Sequence, residues 1–352
     1  FVESRIATQQ RNMAWSRLLA AHSLKNSSEA GGRRDLALLQ SVAASQIATT
    51  DEAQESLWWA LDATDRIKKF VRSEGAFLSV AIDPTGQTIA TGDSRGVVAL
   101  WDAQTFELKA SVSDSKAGVR AAAFSPDGKT LATAGPGEIS LRDAKTARVQ
   151  GVIEGHRNGT TRLQWHPDGR TIFSSSLNDG SLFISEVSKV GQRIVIPVQQ
   201  RGIRDIAISH DGKTIAIAGD GESRVRLWDA TTRTERMTFS GHEGTVRAVA
   251  FNLDGTMIAS GGDDSLIRIW NAESGAQLRA LRGQTDRIER VAFSADGKWL
   301  ASGSNNRTVY LWDLYEDAPP EVLTGHDNSL ADLMFSPDAK TLVSVAFSPT
   351  LI

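Results

Sequence analysis

Residues 246–251, Val-Arg-Ala-Val-Ala-Phe, are a short apolar-rich run with β-branched members, which reads as a strand. The Asp-Gly pair at 254–255 then turns the chain, because glycine takes a positive φ without steric cost. Met257 to Ser260 predicts a second strand, Gly261 to Ser265 a second turn, and Leu266 to Trp270 a third strand. Residues 271–277 turn once more, and Leu278 to Leu281 supplies a fourth strand.

This unit recurs. The phrases IDPTG (82–86), FSPDG (124–128), WHPDG (165–169), ISHDG (208–212), FNLDG (251–255), FSADG (293–297) and FSPDA (335–339) end 42, 41, 43, 43, 42 and 42 residues apart. A second phrase keeps the same period: LWD ends at 102, LRD at 143, LWD at 229, IWN at 271 and LWD at 313. The third unit carries ISE at 184–186 in that place, a degenerate copy. Four short strands per unit of about 40–45 residues mark the blade of a β-propeller.

Gly-His, then Phe-Ser-Pro-Asp-Gly, then a strand ending in Trp-Asp resembles the WD-repeat family, and the resemblance covers residues 66–352. It implies a mainly β fold: a seven-bladed WD-repeat β-propeller closed by an N-terminal latch strand and preceded by a short α-helical segment. The latch comes from alignment. Residues 342–352 align without a gap on 300–310, so the last unit stops in its third strand, while 66–71 align on 277–282, a fourth strand without its own blade. Pairing the two would close the circle and cover exposed edges. The resemblance also implies a buried network of histidine, hydroxyl, aspartate and tryptophan, whose members in the fifth unit are His242, Ser260, Asp264 and Trp270. The sixth unit has Gln284 and Asn306 for the histidine and aspartate, and the second lacks Gly-His and has Arg142 for the tryptophan, so those blades are expected to lean on packing.

Residues 1–65 do not share the repeat. Residues 4–24 are rich in Ala, Leu, Arg and Gln without Gly or Pro, 26–33 break the pattern, and 34–48 place Leu36, Leu39, Ala43 and Ile47 on one helical face. Thr49 and Glu52 form a capping box before a third helical stretch with Trp58 and Trp59. The apolar faces pack on one another and on the propeller side, or the first helix docks on an upstream domain. The expected division is a helical segment at 1–65 and a propeller at 66–352. A helical run directly before the first blade resembles the linker of bacterial multidomain signalling proteins, in which a C-terminal propeller follows a STAND or NACHT-type nucleotide switch. Phe1 in place of Met predicts a longer parent chain.

At 352 residues, 40% hydrophobic and 23% charged, the composition is that of a soluble globular protein. The net charge of −3 gives no global field toward nucleic acid or an anionic membrane. Cysteine is absent, which excludes disulfides and thiolate chemistry and fits a cytoplasmic setting. No apolar run approaches the roughly 18–20 residues that span a bilayer.

Local motifs do not point to catalysis. Gly92-Asp93-Ser94-Arg95-Gly96 has the pattern of a nucleophile elbow, but a strand follows it where the elbow needs a helix. Gly-Lys-Thr at 128–130 and 212–214 lacks the earlier glycine of a phosphate-binding loop, with Ala123 and Ala207 standing there. The six histidines are mostly a unit or more apart, so no metal, cofactor or catalytic residue is expected.

Function is expected in the loops around the channel. The residue four before each turn phrase lies near the mouth: Leu78, Arg120, Thr161, Arg204, Arg247, Glu289 and Ala331, with Arg287 and Arg290 nearby. These positions predict a locally basic mouth, with Arg120, Arg204, Arg247, Arg287, Glu289 and Arg290 as partner-binding residues for an acidic peptide or protein loop. The alternative is that the arginines are solvated or salt-bridged, with Glu289 and Asp205 as isolated acids. The expected function is a non-catalytic interaction module, the ligand-sensing or autoinhibitory arm of a larger bacterial signalling or defence protein, with the upstream domains of the same chain as further partners. The other readings are a general assembly scaffold and a propeller enzyme using the central channel.

Overall fold

The turn phrase is closed by its own side chains. In the computed structural model, which describes residues 71–113, 117–189, 192–198, 201–316 and 318–351, Ser125 Oγ donates to Asp127 Oδ1 at 2.6 Å and accepts the Thr130 amide at 3.0 Å. Asp127 in turn accepts the Lys129 amide, and Gly128 takes a φ of +67°. Ser209 with Asp211, Ser294 with Asp296 and Ser336 with Asp338 repeat the arrangement. The hydroxyl and amide donors hold these aspartates below the usual carboxylate range. A second device follows the third strand, where Asp102 accepts the amides of Gln104 and Thr105. Asn271 does the same for Glu273 and Ser274. Both turns are therefore set locally.

The strands form seven four-stranded antiparallel sheets. Six are made of four consecutive strands each, spanning 77–113, 121–154, 162–197, 203–240, 246–281 and 288–323. The first strand of each sheet packs against the first strand of the next, and the cycle closes where Leu330–Phe335 meets Phe77–Ile82. The second and third strands carry most of the core, with Ile89, Leu100, Leu131, Ile139, Ile172, Leu182, Ile215 and Ile258 fully buried. The fourth strands alternate toward solvent, as in Leu108–Ser113.

Neighbouring sheets approach closely beside the second strands. A Cβ on Gly261 would lie 2.5 Å from Ile288 Cγ2, and one on Gly303 would lie 2.9 Å from Leu330 Cβ. Glycine at these positions lets the next sheet seat its apolar first strand.

The seventh sheet differs in make. It joins Leu330–Phe335 and Leu342–Ala346 to two strands of only two residues, Thr350–Leu351 and Val71–Arg72. The expectation of a seven-bladed WD-repeat propeller is corrected here. Six sheets are complete units of consecutive strands, the seventh is a composite of both ends of the described chain, and the described residues contain no helix. The reason is local: after Ala346 the chain bends through 347–349 before it pairs again. The register at the join is Val71↔Leu351 and Arg72↔Thr350, continued by bonds from Ser73 N to Pro349 O and from Phe77 N to Ser348 O, both 2.9 Å. Of the latch residues expected at 66–71, only Val71 belongs to the described part. The helical segment expected at 1–65 lies outside the described residues.

Candidate functional site

The mouth positions are brought together. A cavity of about 150 Å³ is lined by Leu78, Arg120, Thr161, Leu177, Arg204, Arg247, Glu289, Arg290 and Phe347. Leu78, Arg204, Arg247 and Glu289 stand at one register position of their first strands and Arg120 and Thr161 just before theirs, while Leu177 and Phe347 follow second strands. Ala331 occupies that register in the seventh sheet and is buried in the core beside Phe77.

The charge is not what the arginines alone suggest. Arg204 lies 2.6 Å from Asp220. Arg247 donates from Nε to Asp263 and from Nη1 to Glu289 at 3.4 Å. Arg287 donates to Glu289 at 2.7 Å and to Asn305 at 3.1 Å. Arg290 donates to the Glu289 carbonyl. The basic mouth is therefore largely neutralised, and Glu289 is not isolated. Arg120 is exposed and has no carboxylate partner among the described residues.

One residue deeper, a cavity of about 260 Å³ is lined by residues from all seven first strands, including Arg162, Asp205, Arg290 and Asp332. Arg162 donates to Asp205 at 2.8 Å and to Asp332 at 3.4 Å, and Arg290 Nε stands 3.6 Å from Asp332. Asp205 also accepts the Val249 amide at 3.1 Å, and Asp332 accepts the Val80 amide at 3.3 Å, so each acid also ties its sheet to the next. Burial pushes the Asp205 carboxyl up to about 6, against the pull of Arg162 and the Val249 amide. Burial raises Asp332 as well, again opposed by Arg162. Asp205 is thus no isolated acid. Arg162 and Asp332 escaped the sequence reading, although both stand three residues before a turn phrase, the same register as Asp205 and Arg290.

The side chains of the fifth-sheet network also meet. His242 Nδ1 lies 2.9 Å from Asp264 Oδ1 and His242 Nε2 lies 2.7 Å from Ser260 Oγ, which also accepts Trp270 Nε1 at 2.8 Å. Ser260 is fully buried. The other sheets vary this theme. His156 contacts Asp179 at 2.8 Å and Ser174 at 3.2 Å. Gln284 and Trp312 share Ser302 Oγ, at 3.0 and 2.8 Å, and Arg142 takes the indole's place by donating to Thr133 at 2.7 Å. The second and sixth sheets, expected to lean on packing, thus still engage the hydroxyl, which joins two groups in the sixth. Trp228 Nε1 has no hydrogen-bond partner among the described residues, because Ile217 stands where the other sheets carry serine or threonine. In the seventh sheet His326 Nε2 lies 2.8 Å from Ser344 Oγ, and burial lowers the His326 ring to about 4, with Asp327 opposing.

Ser94 Oγ accepts the Ala76 amide at 3.1 Å in a turn where Asp93 receives the amides of Arg95 and Val97. Its hydroxyl is a turn acceptor with no histidine among its hydrogen-bond partners. No group of three or more metal-ligating side chains occurs among the described residues, and no described helix is long and apolar enough to cross a membrane.

A family profile described as WD domain, G-beta repeat matches residues 66–102, 106–143, 147–184, 193–229, 233–271 and 275–313, more than half of the sequence. The chain belongs to the WD40 family. Each match takes the outer strand of one sheet and the first three of the next. Six repeats are matched and not seven, and the matches end at residue 313. Protein sof1 of Schizosaccharomyces pombe is 38% identical over 63 residues, 17% of this chain and 14% of the relative. TOPLESS-RELATED PROTEIN 2 of Oryza sativa subsp. japonica is 39% identical over 59 residues, 16% of this chain and 5% of the relative. The aligned part thus spans a small fraction of either relative. WD40 repeats imply a protein–protein interaction scaffold, and proteins built from them are generally non-catalytic. Neither relative bears on the bacterial switch resemblance.

Proposed function

We propose that this WD40 unit is a sensing or autoinhibitory arm of a larger signalling protein, and that it holds a protein partner at the mouth of its channel. The observation that supports the reading is the convergence of Arg120, Arg204, Arg247, Glu289 and Arg290 on one cavity from four sheets, the second, fourth, fifth and sixth. Arginine is enriched at the energetic centres of interfaces. Carboxylates hold Arg204 and Arg247 in fixed positions, which lowers the ordering cost of binding. A partner signals through such an arm only if it binds one arrangement of the whole protein more tightly than the other.

The test is a double charge reversal, Arg204→Glu with Arg247→Glu. A random heptapeptide display library is selected on the immobilised protein, and the enriched peptides are measured against wild type and variant by fluorescence polarisation. Binding should fall at least tenfold, with the melting temperature kept within a few degrees, since partly exposed ion pairs contribute little stability. Unchanged binding rejects the mouth as the docking face. The signalling role is tested separately by the coding sequence upstream of residue 1, where a phosphate-binding loop supports it and a start codon alone rejects it.

A further inference from the structure

The mouth has two unlike halves, and the difference follows from one offset in the sequence. Arg204 and Arg247 each find an aspartate sixteen residues on, Asp220 and Asp263, in the turn after the second strand of their own sheet. The residue sixteen after Glu289 is Asn305, which the neighbouring Arg287 reaches at 3.1 Å. Around the other half the same position holds Phe347, Ser94, Pro136 and Leu177 in place of a carboxylate.

Arg120 therefore faces Pro136 in register and lacks the partner its counterparts have. Its neighbours on the mouth are apolar. Phe347 is 42% exposed, and Leu78 and Leu177 are half-buried. Thr161 Oγ1 is already engaged, accepting the Leu177 amide at 2.8 Å. A paired arginine gains less from an incoming carboxylate, because that carboxylate also meets repulsion from the acid already there, Asp220 at Arg204 and Asp263 and Glu289 at Arg247. An unpaired guanidinium gains a charge-assisted hydrogen bond outright. Incoming Lys or Arg would meet repulsion from Arg120.

We propose that the arc from Phe347 through Leu78 and Arg120 to Leu177 is the part of the mouth that reads the partner. It takes a protein segment in which Asp or Glu stands next to Leu, Ile or Phe. The carboxylate binds Arg120, and the apolar side chain covers Leu78 and Phe347. The paired arginines of the opposite half position the segment. This inference rests on the mouth being the docking face.

Peptides selected from the random heptapeptide library are measured against wild type, Arg120→Glu, Phe347→Ser and the Arg204→Glu, Arg247→Glu double variant. Melting curves confirm that each variant folds. We expect enriched peptides to carry an acid beside an apolar residue and to lose at least tenfold in affinity on Arg120→Glu, with a smaller loss on Phe347→Ser. Replacing the peptide's acid by lysine should abolish binding to wild type and restore part of it to Arg120→Glu. Enriched peptides without an acid, or no enriched peptide at all, overturn the proposal. Binding lost on the double variant but unchanged on Arg120→Glu overturns the arc and leaves the mouth standing. Binding unchanged on all three overturns both.

Discussion

Arg162 donates from Nε to Asp205 Oδ1 at 2.8 Å, across the contact between the third and fourth sheets. The same guanidinium reaches Asp332 of the seventh sheet from the far side of the channel. One cation thus serves two buried carboxylates, with Arg290 beyond hydrogen-bond range at 3.6 Å. Desolvation outweighs the attraction, which is why both acids are raised.

This arrangement makes stability depend on pH in a defined direction. The folded Asp205 carboxyl sits at about 6, while an unfolded aspartate titrates near about 3.9. The folded state holds the proton more tightly, so this contribution is full below about pH 4 and is lost as the pH rises through the folded value. His326 acts oppositely: its ring is lowered to about 4, so its contribution is present above the ordinary histidine range and is lost as the pH falls. The Asp205→Asn variant separates the two. Its stability relative to wild type should improve as the pH rises from about 4 to 7.5, by up to about 3 kcal/mol. Urea denaturation at a series of pH values reads the difference, and a flat difference or one of opposite slope refutes the account.

Ser260 offers one oxygen to two buried groups, His242 and Trp270. Ser260→Ala should cost about 2–4 kcal/mol, because it leaves two buried nitrogens, His242 Nε2 and Trp270 Nε1, without the oxygen they share. Ser260→Thr should stay close to wild type, since Thr91 serves Trp101 in the first sheet at 2.9 Å. Equal losses for both variants in urea denaturation would show that packing, and not the hydroxyl, sets the cost.

The composite sheet should be the first to open. Its two closing strands have two residues each, against five or six in the inner strands of the fifth sheet. Hydrogen exchange followed by mass spectrometry should show peptides covering 71–72 and 350–351 exchanging well before those covering 246–251 and 257–262. Equal protection would mean that closure is as strong as any complete sheet.

The turns and the mouth were legible because both follow from register. Ser125 with Asp127, and Asp102 with its two amides, are contacts within a few residues, and the mouth follows from one position counted back from each phrase. The neutralising aspartates Asp220 and Asp263 also stood at a constant offset, but a reading of the first strands alone passed over them. The pairing of Arg162 with Asp332 joins residues 170 apart across the channel, and no local pattern reports which sheets stand opposite. The strand lengths of the last sheet were misjudged for a related reason. Alignment carried the full strand lengths of the sixth unit onto the seventh, whereas the bend at 347–349 leaves only two residues to pair. The Trp228 indole without a partner could have been read from Ile217, which breaks the serine and threonine series.

The closure between Val71–Arg72 and Thr350–Leu351 also has a mechanical meaning. Tension arriving along the backbone through residue 70 would fall on two rungs of pairing and open them one after the other, as a zip opens from its end. The same tension applied within the fifth sheet would have to shear its longer ladders at once. The fold therefore has a weak direction, and it points along the chain that leads into the first repeat.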